Sequence, residues 1–212
     1  MDEVRLYATG QDGTKVPVTL LYRKTTVLTA DNPTLLIGYG AYGISQFPVF
    51  DATRLAWLER GGIIAFAHIR GGGEYGEAWH RGGQKATKEN TILDFIACAE
   101  FLVKYGFTSP RRLAIQGTSA GGIPSAGAMV RRPDLFAAVV PRGAVLDLLR
   151  LEFAPNGPAN IPEFGTITTP EGFEALRKMS AYHHVKDATA YPAVLLTTGM
   201  NDPRVDPWQA GK

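Results

Sequence analysis

The chain has 212 residues, 45% of them apolar, with 22 Lys and Arg against 20 Asp and Glu for a net charge of +2. That length and apolar share suffice for one domain with a sizeable core, and the scattered basic residues leave no electrostatic footprint for nucleic acid. The longest apolar runs, such as 63–67 and 193–196, are strand-sized, and the N-terminal MDEVRLYATGQDGTK is too polar for a secretory signal, so no membrane segment is expected and the cytoplasm is the default location.

Val4 and Leu6, then Val16, Val18 and Leu20, alternate on either side of a Gln11-Asp12-Gly13 turn, which predicts an antiparallel hairpin. The next strand, 34–38, runs into Gly38-Tyr39-Gly40-Ala41-Tyr42-Gly43, a fit to the G-x-G-x-x-G template for dinucleotides. A pyrophosphate needs a helix opening at the third glycine, and here Pro48 pushes Phe47 out of the helical region, so a helix is expected only after Val49. The following strand, 63–69, ends in Arg70 rather than a ribose-binding acid, so the glycines need another explanation. The clearest helix starts at Asn90 as N-cap, runs through Ile92, Ile96, Ala99 and Val103, and stops at Gly106. It carries Cys98, the lone cysteine, which can form no internal disulfide and reads as a small core residue. Strands at 113–116, 138–141 and 193–198 continue the alternation with helices, predicting an α/β fold with a doubly wound, mostly parallel sheet in one domain over 1–212. Residues 153–172, FAPNGPANIPEFGTITTPEG, read as a long surface excursion of the kind that lines a site.

Between strand RLAIQ and a helical run lies Gly117-Thr118-Ser119-Ala120-Gly121-Gly122, a G-x-S-x-G match in its strand–turn–helix context. Such a turn lifts a serine hydroxyl above the sheet, with the N–H of Ala120 aimed at an anion forming beside it. The bland alternative is an incidental serine in a glycine-rich turn. A serine nucleophile needs a base and an orienting carboxylate, in the chain order Ser, Asp, His on sheets of this type. Asp202, in Gly199-Met200-Asn201-Asp202-Pro203-Arg204 after the strand AVLLTTG, takes the second place, against the alternative of a turn-forming Asn-Asp-Pro. No histidine follows it: His68, His80, His183 and His184 all precede it.

With IGYGAYGIS, AHIRGGGEYGEAWH, TSPRRLAIQGTSAGG, RRPDLF and TGMNDPRV, nearly the whole chain resembles the catalytic domain of the prolyl oligopeptidase family of serine peptidases, oligopeptidase B included. The resemblance implies an α/β-hydrolase fold, Ser119 as nucleophile, Asp202 as triad acid, and Tyr39 as the oxyanion donor that joins the Ala120 N–H. It also implies that Arg204 binds a substrate carbonyl and that Tyr42 lines the pocket for the residue before the scissile bond. It implies short peptides as substrates, no cofactor or metal, and a β-propeller domain upstream.

The chain departs from that pattern in two ways. The family's triad histidine lies some tens of residues after the aspartate, whereas this sequence stops at Lys212, so it is expected to be a C-terminally truncated fragment, inactive by itself. The stretch GPANIPEFG puts Asn160 where the family has a proline-stacking tryptophan and Phe164 where it has a tyrosine, so strict post-proline cleavage is not expected. The rival readings are a carboxylesterase on the same fold and a non-catalytic binding remnant.

Overall fold

A computed structural model describes residues 1–49 and 51–212. Strand β1 (Asp2–Thr9) pairs antiparallel with β2 (Lys15–Tyr22) through the expected hairpin, with Leu6 opposite Val18 and Val4 opposite Leu20. Strand β3 (Thr34–Gly38), helix α1 (Ala52–Glu59) and strand β4 (Ile63–Ala67) follow. Then come α2 (Glu77–Arg81), α3 (Glu89–Lys104), β5 (Leu113–Thr118), α4 (Gly122–Arg131) and β6 (Ala138–Arg142). Two further helices, α5 (Ile161–Phe164) and α6 (Pro170–Met179), precede β7 (Ala193–Val194) and α7 (Trp208–Gly211). The seven strands form one sheet in the order β1-β2-β4-β3-β5-β6-β7. β2 meets β4 antiparallel, and every pairing from β4 through β7 is parallel.

The central strands β3 and β4 are covered on both faces, as their successive apolar positions require, whereas both residues of β7 are exposed. All five residues of β4 are buried. Leu36, Ala65, Leu113, Ile115 and Val139 face a core filled by Ile92, Phe95 and Leu102 of α3 and Ile123 of α4. Ile37, Ile64 and Phe66 face the other way, against Leu58 and Trp57 of α1. Among the described residues no helix is long and apolar enough to cross a membrane.

The element boundaries differ from the sequence reading in three places. α3 is capped at Lys88 and already helical at Asn90, because tertiary burial of Lys88 outweighs the capping preference of asparagine. It ends where expected, with Gly106 N–H donating to Val103 O and Phe107 N–H to Leu102 O, the paired bonds of a Schellman stop. The strand expected over 193–198 is regular only at Ala193–Val194, and pairing continues irregularly through Leu195 N–H to Val139 O and Thr197 N–H to Pro141 O. The 153–172 excursion is not wholly superficial, since α5 within it buries Glu163 and Phe164. No helix opens at Gly43. α1 begins at Ala52, capped by the Asp51 side chain accepting from Thr53 N–H, so the glycine-rich stretch has no helix N-terminus to offer a pyrophosphate.

Candidate active site

Strand β5 delivers its last residue straight into the turn that holds Ser119. Ser119 has φ 56, a left-handed conformation that costs a residue with a side chain about 1–2 kcal/mol and persists only where the surroundings impose it. Two contacts impose it here. Val145 N–H donates to Ser119 O at 3.0 Å, and Ser125 Oγ, one turn into α4, donates to Gly121 O at 2.9 Å. The turn is so tight that a Cβ on Gly117 would stand 1.9 Å from Gly121 O, so only glycine fits there. Ala120 follows in the first turn before α4, fully buried, where backbone N–H groups have no intrahelical partner.

Ser119 opens into a cavity of about 670 Å³ at the carboxyl ends of the parallel strands, shared with Tyr39, Arg142, Thr197, Asp202 and Arg204. Its walls therefore come from the ends of β3, β5 and β6 and from the segment after β7, the rim where α/β sheets bind ligands. Asp202 is held by its own turn: Oδ1 accepts from Arg204 N–H at 2.9 Å and Val205 N–H at 3.1 Å. Those backbone donors, helped by the Arg204 charge, hold its carboxyl below the usual range, so it is ionised at neutral pH. Tyr39 sits one residue beyond β3. Burial pushes its phenol above the ordinary value, against the Arg204 charge and a polar contact with Ser119, so it stays a neutral donor. Gly40, next along, has φ 64, and a Cβ there would lie 2.4 Å from Thr91 Cγ2. The glycines thus turn the chain sharply so that a tyrosine reaches the rim.

The remaining expected residues stand beside the cavity rather than on its wall. Tyr42, itself at φ 57, donates its hydroxyl to Asn160 Oδ1 at 2.7 Å. Its ring meets that of Phe164 edge-on at 5.5 Å, and Phe164 is fully buried beneath it. Burial also raises the Tyr42 phenol. Arg142 and Thr197 were missed by the sequence reading. Their signal was position, since both sit where the sheet's last two strands end.

None of the four histidines lines the cavity among the described residues. His68 Nε2 lies 2.8 Å from Thr19 Oγ1 in the core, and His80 Nε2 lies 2.7 Å from Glu163 Oε2. His183 Nδ1 is 2.8 Å from Ser180 Oγ, and His184 Nε2 is 3.0 Å from Arg177 O. Nor, among the described residues, do three or more His, Cys, Asp or Glu side chains gather as a metal ion would need.

The chain is 41% identical over 204 residues to the prolyl endopeptidase of Elizabethkingia meningoseptica, covering 96% of this chain and 29% of that protein. It is 39% identical over 213 residues to the dual function macrocyclase-peptidase POPB of Galerina marginata, covering 100% of this chain and 29% of that one. Structures of the Galerina protein bound to 35mer and 25mer substrates superpose with TM-scores of 0.94 to 0.95 at 38 to 39% identity. Oligopeptidase B from Leishmania major superposes with a TM-score of 0.95 at 36% identity, covering 99% of this chain and 30% of that one. The chain thus spans about 29% of the length of the curated relatives it matches. Residues 48–212 match the prolyl oligopeptidase family, and with relatives of this similarity along the whole sheet, the chain belongs to that family.

Proposed function

We propose that this chain is the catalytic portion of a serine oligopeptidase that cleaves short peptides by acyl transfer through Ser119. The observation that carries the reading is the left-handed Ser119 elbow sharing one cavity with an ionised Asp202 and a neutral Tyr39. In the proposed reaction the Ser119 hydroxyl attacks the scissile carbonyl as its proton passes to an imidazole, and the Tyr39 hydroxyl and Ala120 N–H stabilise the resulting oxyanion. On collapse the imidazolium returns the proton to the leaving amine and an acyl-serine remains; water, giving its proton to the imidazole, then attacks the acyl carbonyl, and the proton passes back to Ser119 Oγ as the carboxylic acid leaves. Both hydrogen bonds to the Asp202 carboxylate fall on Oδ1, which leaves Oδ2, beside Gly143, to orient the imidazole. Since no histidine lines the cavity among the described residues, we assign the base to the remainder of a longer protein, along with a propeller domain that restricts access. Arg204 would bind a substrate carbonyl, with Tyr42, Asn160 and Phe164 bordering the side chain before the scissile bond. Asn160 offers an amide rather than a ring there, so strict preference for proline is not expected. The chemistry calls for no cofactor.

The test is turnover of matched chromogenic peptide amides and esters by the full-length protein. Amide hydrolysis that is lost on Ser119→Ala supports the peptidase; hydrolysis of esters alone supports a carboxylesterase, and neither supports a binding remnant.

A further inference from the structure

Behind the Tyr39 loop lies a buried polar cluster to which the proposed chemistry gives no role. Lys88 is fully buried; its Nζ donates to Gly40 O at 2.5 Å and stands 3.1 Å from Glu163 Oε1. Glu163, 3% exposed, places Oε2 2.7 Å from His80 Nε2. Burial by itself would raise the Glu163 carboxyl, but the Lys88 charge, His80 and the Tyr42 N–H more than offset it and hold it below the usual range. Burial draws the Lys88 ammonium down to about 8 against the pull of Glu163. The two are therefore an ion pair at neutral pH.

A buried ion pair is a poor device for stability, because well-packed apolar side chains of similar volume often stabilise a fold equally or better. What this pair does supply is placement. Through Gly40 O, on the residue that follows Tyr39, it grips the loop that presents that tyrosine. Through Glu163 and the Phe164 ring, whose centroid lies 5.3 Å from Lys88 Nζ, it fixes α5. Phe164 and Asn160 of that segment both touch the Tyr42 side chain. We infer that the Lys88–Glu163 pair is a positioning element of the proposed peptidase, holding the Tyr39 hydroxyl against Ser119 and the Tyr42–Asn160–Phe164 group beside it. The inference rests on the peptidase reading above for its consequence in catalysis, and a displacement of about 1 Å at such a group costs about 100-fold in rate.

The test separates placement from stability. In the full-length protein the apolar double variant Lys88→Met/Glu163→Leu is expected to melt within a few degrees of wild type. Its kcat on a peptide is expected to fall at least about tenfold with KM within about threefold, because the misplaced donor acts in the transition state. A folded double variant with kcat within about twofold of wild type would overturn the inference. Should that variant not fold, Glu163→Gln keeps shape and hydrogen bonding while removing the charge; it is expected to lose about tenfold in kcat, and an unchanged kcat overturns the proposal equally. If the wild-type protein hydrolyses no peptide, the functional reading has failed, and hydrogen exchange decides the positioning role alone. The Gly43 and Ile44 amides, bonded to Gly71 O at 3.0 Å and Ala41 O at 3.1 Å, should then exchange at least about tenfold faster in the variant while the amides of β4 do not change. Unchanged exchange at Gly43 and Ile44 would overturn it.

Discussion

Replacing Gly117 by alanine probes the elbow at its most crowded point. The new Cβ would stand 1.9 Å from Gly121 O, 2.4 Å from Gly121 C and 2.5 Å from Ser125 Oγ, while ordinary contact begins at 3.4 Å. Backbone must therefore yield by more than about 1 Å, since neither obstructing backbone atom can rotate aside as a side chain would. The first turn of α4 has to back away from β5, which breaks the Ser125–Gly121 hydrogen bond. Overpacking of this kind costs about 1–3 kcal/mol and the lost hydrogen bond about 1 kcal/mol, giving a destabilisation of about 2–4 kcal/mol. For a domain of this size that lowers Tm by roughly 5–15 °C. The displaced Ser119 should also react about 100-fold more slowly with a fluorophosphonate in the full-length protein. Gly13→Ala is the control: Gly13 has φ 82 but meets nothing within 4 Å, so alanine there costs only the backbone strain of about 1 kcal/mol and leaves labelling unchanged. A Gly117→Ala protein within 1 kcal/mol of wild type that labels at the wild-type rate would refute the reasoning.

Tyr39→Phe in the full-length protein should lower kcat by roughly ten- to a thousandfold and leave KM within a few fold, since one oxyanion donor is worth about 2–4 kcal/mol in the transition state; an unchanged kcat would return Tyr39 to packing. Changing His183 and His184 together to alanine should spare activity, because their nitrogens engage Ser180 and Arg177 away from the cavity, and steady-state kinetics of the double variant would reveal otherwise. Asp12, whose carboxyl is lowered to about 2 by the backbone and hydroxyl of Thr14 and then by Arg70, contributes stability that is present above its unfolded value of 3.8 and lost as pH falls through 2. With its side chain 50% exposed, Asp12→Asn should cost under about 1 kcal/mol at pH 7, and urea melts should show that gap closing between pH 4 and 2.

The parallel sheet and its hairpin were legible because both signals are local: alternation in β1 and β2, and short apolar runs punctuated by glycine in β3 to β6. The elbow was legible for the same reason, as its steric demand falls on residues adjacent in sequence. Strand β7 was overextended because apolar character at 195–198 does not reveal that pairing turns irregular after Val194. The Lys88–Glu163 pair was invisible in the sequence, where the two lie far apart and each reads as a solvated charge; only the fold buries them against Gly40. Asn90 reads as the cap of α3 for the same reason, since nothing local shows that Lys88 is pulled inward.

The most direct test of the account is mass-spectrometric mapping of fluorophosphonate labelling on the full-length protein. The account expects a single modified residue, Ser119, reached through the strained turn between β5 and α4, with labelling abolished by Ser119→Ala. Modification at another serine such as Ser125, or labelling that survives in the alanine variant, would contradict it.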